Sequence, residues 1–547
     1  MAILTPTLQA QQDDLEMRAM RDEMRRAVKE LHLESASLPY YVQYKIVDSS
    51  RLEAQASLGA LVSSNETRTR TLTVSVRVGD YDLDGSSAGG AGMAAIMGAI
   101  NGTVSLPIDD DYDELRRRIW LATDAAYKKA LENLSSKKAA LAAKGKSEES
   151  VPSFSKEPAR QETEILPPVD VKLADAEHLV RAASAVFLKL PMVETSEAQF
   201  EVLNSTEHFL NSEGTSYVRQ VPDLYFRSSA SMQNATGETF TDNCQHFGHT
   251  RSDLPTEAAL VDESQAVVDR LSARRKGKVA RRYSGPVLFE GDAAAELIAH
   301  HFANLLASHP AGSGGGSAIA VLLSGPTASL INKVGSRVMP DFLTVTDNPT
   351  LTTFEGHPLF GNYKFDAEGV PPHETVLIKD GVLKTLLTSR TPVRGMLTST
   401  GNQREHGVAP GNLFIDASKT STHDELLKQL TDLITARGLE YGYILRRLNN
   451  NQAIEAIRVY PDGHQDTVRD ARIAEINANS FKDILAVSKD RTVYTDRLQG
   501  GGLAGIGSGA DLITYVVPDL LFEDITVEHV TNETPKLPDI SSPLPPL

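Results

Sequence analysis

Three residues have types and spacing that could do chemistry together: Asp292, Glu296 and His300. They stand at i, i+4 and i+8, so a helix would place both carboxyls and the imidazole on one face. Carboxylate oxygen and imidazole nitrogen are ligands for a divalent cation, and His301 is adjacent. Solvated helix faces often carry the same residue types, so the spacing alone leaves both readings open. A second grouping is Cys244-x-His246-x-x-His249. Thiolate and imidazole bind zinc, but no second ligand pair lies near in sequence, and the plainer reading is a buried cysteine with two loop histidines. A third is Asp366-Ala-Glu368-Gly369, two carboxylates beside a flexible glycine. It is either a solvated turn or part of the wall of a substrate groove.

These residues need elements to hold them. A short strand, Val287–Phe289, precedes a helix expected over Asp292–Ser308. Thr375–Ile378 and Val382–Leu387 flank Lys379-Asp380-Gly381, where Asp-Gly supplies the positive φ of a type I′ hairpin. Upstream, Leu15, Met20, Met24, Val28 and Leu31 give helical spacing over Asp13–Leu33. Strands follow at Tyr40–Ile46 and Thr71–Val78, and a helix at Asp109–Leu134 has Leu115, Ile119, Trp120, Tyr127, Leu131 and Leu134 as its apolar face. Residues 135–165 are rich in Lys, Ser, Ala and Glu and read as a helix fading into a charged linker. Ala174–Leu188 and Glu257–Arg274 read as helices around a strand meander, Phe200–Ser229, with an Asn211-Ser-Glu-Gly214 turn.

The resulting expectation is a multidomain α+β chain. It has an N-terminal α/β domain (13–134), the linker (135–165), a mixed middle domain (166–282), a β-rich C-terminal domain (283–530) and a Pro-rich tail (531–547). At 547 residues, more than one core is expected. The 55 basic against 72 acidic residues give a net charge of −17, which disfavours non-specific nucleic-acid binding. The basic run Arg274–Arg282 reads as a solvated helix end, or else as a rim for an acidic peptide or partner. The single cysteine, Cys244, excludes an internal disulfide. No apolar run suits a membrane span; Ala88–Ile100 is short and rich in Gly and Ala. Gly500–Gly509 lacks the Lys-Ser/Thr ending of a phosphate loop. The opening MAILTPTLQA resembles the end of a secretory signal but lacks a basic start and a full apolar core. The cytoplasm is the first expectation, with export the alternative if the true start lies upstream of Met1.

The segment TDNPTLTTFEGHPLFGNYKFDAEGVPPHETVLIKDGVLKTLLTSR (Thr346–Arg390), followed by STGNQR (Ser399–Arg404) and PGNLFID (Pro410–Asp416), resembles the hallmark region of the TldD/PmbA peptidase family. The likeness is strong from Gly285 onward and diffuse before about residue 170. It adds Asn402 and Arg404 to Asp366 and Glu368 as substrate-groove candidates. In the active branch, a strand leads into a helix bearing His-Glu-x-x-x-His, and a C-terminal cysteine completes a zinc site. Laid on that pattern, Gly291 and Glu296 replace the histidines, Asp292 stands where the Glu base would be, and the cysteine falls near Gly507.

The resemblance therefore implies the PmbA (TldE) branch, whose members do not carry the metal. It implies a non-catalytic subunit with no catalytic residue or cofactor of its own, zinc arriving only through a TldD-like metallopeptidase. A hetero- or homodimer acting on small or unfolded peptides is expected. One alternative is an active metallopeptidase with a rearranged site at Asp292, Glu296 and His300. Another is a non-enzymatic binding or scaffold protein.

Overall fold

The computed structural model describes residues 15–33, 36–85, 103–144, 151–190, 193–233, 239–308, 330–405, 407–474, 476–498 and 511–530. The opening ten residues, Ala88–Ile100, the Gly507 region and the Pro-rich tail lie outside them. The chain divides into two compact units: residues 1–49, 68–165 and 205–220, and residues 50–67, 166–204 and 221–547.

The first unit packs α1 (Leu15–Glu30) and α2 (Tyr112–Lys144) with strands β1 (Pro39–Ser57), β2 (Ala60–Val78), β3 (Thr103–Leu106), β4 (Gln161–Ile165), β5 (Val193–Asn211) and β6 (Ser216–Gln220). Strands β1, β2 and β5 contribute residues to both units. In α1, Met17, Met20, Met24 and Ala27 are buried at the three- and four-residue spacing of one helical face. Leu115, Ile119, Tyr127 and Leu134 do the same in α2. Trp120 departs from its expected place on that face and is 48% exposed. Helix α2 runs on to Lys144, as a helix fading into the linker implies, but part of the stretch read as linker is a strand: β4 pairs in parallel with β6, Gln161 opposite Ser216. The β4 side chains are mostly exposed, so its backbone hydrogen bonds make it a strand without any apolar alternation to betray it. The Asn211 turn forms as read, its Oδ1 accepting from Glu213 N and Thr215 N, with Gly214 at φ 98°.

In the second unit, β7 (Asp223–Gln233) pairs with β5 and with β8 (Thr239–Gly248). Helices α3 (Leu173–Ala185) and α4 (Glu257–Lys276) share an apolar core with these strands, and Thr256 caps α4. The remaining strands are β9 (Lys278–Val279), β10 (Tyr283–Phe289), β11 (Leu343–Asp347), β12 (Thr353–Phe354), β13 (His357–Pro358), β14 (Thr375–Lys379), β15 (Val382–Leu383), β16 (Gln403–Arg404), β17 (Gly407–Val408), β18 (Asn412–Ala417), β19 (Gly442–Asn449), β20 (Gln452–Val459), β21 (Gln465–Arg469), β22 (Ala471–Ile473), β23 (Ile484–Arg497) and β24 (Leu512–His529). Twelve of them make one sheet in the order β15-β14-β11-β18-β24-β10-β19-β20-β21-β9, with β22 and β23 also pairing to β24. Asp380 and Gly381, at φ 50° and 73°, close the β14–β15 hairpin as the Asp-Gly pair requires.

Strand β10 is covered on both faces. Val287 and Phe289 join the core around α5 (Asp292–His301), whereas Leu288 joins the cluster beneath α6 (His423–Ala436). A strand buried on both faces reads as a continuous apolar run, which is what GPVLF is. Helix α5 is shorter than the span expected to Ser308; a 3-10 turn, Ala303–Leu306, follows it. The fold is mixed α+β with a β-rich C-terminal region, as the sequence suggests.

Candidate functional site at the strand-to-helix corner

Helix α5 starts at Gly291, whose φ of 55° lies in the left-handed region favoured by glycine. Its N–H donates to Asp519 Oδ1 at 2.8 Å, joining the corner to β24. Along α5, residues Ala293 to Ala299 are all buried, and Glu296 is the one acid among them. Its Oε2 accepts a hydrogen bond from Leu448 N on β19 at 2.5 Å. Burial pushes the Glu296 carboxyl up to about 8, and Asp292 and Asp496 push the same way. The Leu448 N–H and the Arg447 guanidinium pull it down, without winning. Glu296 therefore holds its proton at neutral pH.

The other members of the cluster come from β23. Asp496 is raised chiefly by burial and lowered by His300, whose Nε2 lies 3.9 Å from Asp496 Oδ2. Tyr494 is raised by burial and by Asp496, Glu296 and Asp292. Burial and the neighbouring His300 lower His301. Opposite them, Arg447 donates to Asn243 O at 2.9 Å and lies 3.9 Å from the buried Asp242, which also takes Arg270 at 2.6 Å.

A zinc site of the family kind needs two imidazoles on this helix and deprotonated donors. Gly291 offers no donor atom, and its N–H is engaged. Glu296 is protonated and directed at a main-chain amide. The residues present do not fit the family's metal, and among the described residues no group of three or more His, Cys, Asp or Glu could hold one.

The Cys244 grouping does not converge either. The Cys244 thiol is buried and pushed up to about 11. His246 Nε2 lies 2.5 Å from Glu263 Oε2, while His249 Nδ1 lies 2.8 Å from Pro222 O.

The four groove candidates are brought together, but mostly inside the domain. Asp366, Asn402 and Arg404 are buried, and Glu368 is half-buried. Asp366 accepts from Glu368 N and Val370 N at 2.9 Å and from Gln403 N at 3.1 Å. Glu368 Oε2 accepts from Arg390 N at 2.7 Å. The Arg404 guanidinium lies 4.3 Å over the Tyr363 ring and donates to Asp511 and to Leu512 O. Burial raises the Asp366 carboxyl, with Glu368 adding to the effect. Through these bonds Asp366, Glu368 and Arg404 brace neighbouring loops. Sequence reasoning missed Arg447, Leu448, Tyr494, Asp496 and Asp519. They reach the corner from distant strands, through the pairing of β10 with β19 and β24 and of β24 with β23.

Residues 281–529 match the family model described as PmbA/TldA metallopeptidase C-terminal domain. A metalloprotease of Methanocaldococcus jannaschii is 36% identical over 168 residues, 29% of this chain and 36% of that one. The metalloprotease PmbA homolog of Haemophilus influenzae is 23% identical over 313 residues, 54% of this chain and 64% of that one. The chain spans about a third of the length of the archaeal relatives it matches. In fold it is similar to TldE from Thermococcus kodakarensis, with a TM-score of 0.57, 15% identity and coverage of 93% of this chain and 100% of that one. Residues 281–529 therefore carry a domain of the PmbA/TldA metallopeptidase C-terminal family, and the chain is similar to PmbA proteins in sequence and to TldE in fold.

Proposed function

We propose that the chain is a non-catalytic, PmbA-like subunit that pairs with a TldD-like metallopeptidase in cleaving small or unfolded peptides. The observation that carries this reading is the state of the two ligand positions. Gly291 has no donor, and Glu296 is protonated and bonded to Leu448 N. A metallopeptidase of this family needs a metal-bound water, and Gly291 and Glu296 do not supply the imidazole pair that would hold the metal. Asp292 retains a carboxyl group at the position of the family's general base. No helix among the described residues is long and apolar enough to cross a membrane, and the cytoplasm is the compartment proposed.

The test is metal analysis and peptidase assay of the pure protein, alone and with a partner bearing His-Glu-x-x-x-His. No tightly held zinc, no activity alone and co-purification with that partner are expected. One zinc per chain would overturn the reading.

A second reading is favoured by the approach of His300 to Asp496: an active enzyme with a rearranged Asp292, Glu296 and His300 site. It requires chelator-sensitive cleavage abolished by His300→Ala. Unchanged activity in that variant defeats it.

A further inference from the structure

Glu296 presents a physical problem that the loss of a metal does not explain. An acid buried among Ala293, Ala294, Ala295, Leu297 and Ile298 is costly, and any apolar residue would fill the space. What it meets is specific. Strand β19 pairs with β20 in antiparallel register, but the register shifts twice, between Leu445 and Arg447 and again between Arg447 and Leu448. Such a bulge takes main-chain groups out of the ladder and leaves them needing a partner. The Leu448 N–H finds one in Glu296 Oε2. The same irregularity releases the Arg447 side chain toward Asp242 and Asn243.

We infer that Glu296 is a clamp, its carboxyl tying the middle of α5 to the bulge of β19 and so fastening the corner that a metal would otherwise hold. It is a positioning residue. Asp292 on the same helix, Arg447 on β19 and Asp496 and Tyr494 on β23 are its electrostatic neighbours. The inference rests on the metal-free reading of this helix.

The test uses the full-length chain and hydrogen exchange of the segment containing Leu448, with thermal unfolding as a check on folding. Wild type, Glu296→Gln and Glu296→Leu are compared with and without added Zn2+. The clamp requires Gln to protect the Leu448 amide as wild type does, because its side-chain carbonyl accepts the same bond. Leu should speed exchange there by about tenfold or more, while other segments keep their protection. Equal protection in Glu296→Leu overturns the clamp and leaves the metal-free reading standing. Slower exchange of wild type on adding Zn2+ overturns the metal-free reading and the clamp with it.

Discussion

Asp347 Oδ2 lies 2.7 Å from Asn402 Nδ2, although 55 positions separate them. Asp347 Oδ1 accepts from Gly411 N at 2.9 Å, so one buried carboxyl joins the end of β11 to two segments, STGNQR and PGNLFID. Asn402 also donates to Ala409 O at 3.2 Å.

Asp347→Ala removes the acceptor of the Gly411 N–H and one of the acceptors of the Asn402 amide. A loss of about 2–4 kcal/mol in unfolding free energy is expected by urea denaturation, and Asn402→Ala should cost about 1–3 kcal/mol. Because the two share one bond, the double variant should lose less than the sum. Strict additivity would show that the pair is not coupled.

The raised Glu296 carboxyl gives stability a pH dependence of definite sign. Unfolded, it ionises near its ordinary value of 4.5; folded, it holds its proton to about 8. Between those limits the native state binds more protons, so this group's contribution falls as pH rises from 4.5 to 8 and is intact below. Glu296→Gln removes the penalty. It should match wild type at pH 4.5 and exceed it by about 2–4 kcal/mol at pH 8. A constant difference across that range in thermal melts would refute the assignment.

Two glycines with similar φ separate strain from crowding. Gly381 (φ 73°) would place a Cβ 2.2 Å from Met339 O and 2.5 Å from Pro340 O, whereas Gly395 (φ 81°) faces open space. Gly395→Ala should cost about 1 kcal/mol from backbone strain alone. Gly381→Ala must also displace main chain, and about 3 kcal/mol or more is expected from the same denaturation curves.

Trp120, the chain's single tryptophan, is half-exposed on α2, with the Arg26 guanidinium 5.9 Å from its ring. Its emission should be readily quenched by acrylamide in the native protein. Trp120→Phe should change stability by less than about 0.5 kcal/mol. Emission shielded from quencher would place the indole inside the core instead.

Periodicity made α1, α4 and the start of α2 legible, because Met20, Met24, Leu115 and Ile119 repeat on a buried face. It misplaced Trp120, since position 120 borders that stripe and only packing decides which side faces water. It could not show β4, whose exposed Gln161–Ile165 has no alternation to read. The corner was half legible. Asp292, Glu296 and His300 are local in sequence, so helical spacing finds them. Arg447, Leu448 and Asp496 arrive through strand pairing, which no local pattern encodes. The direction of the Glu296 side chain was equally hidden, because it answers a bulge roughly 150 residues away.

The bond between Glu296 and Leu448 is built wholly from the chain's own atoms. Here the corner closes when β19 and α5 meet. The bond's two partners stand far apart in the sequence, so forming it ties the folding of the helix to that of a strand laid down much later in the chain.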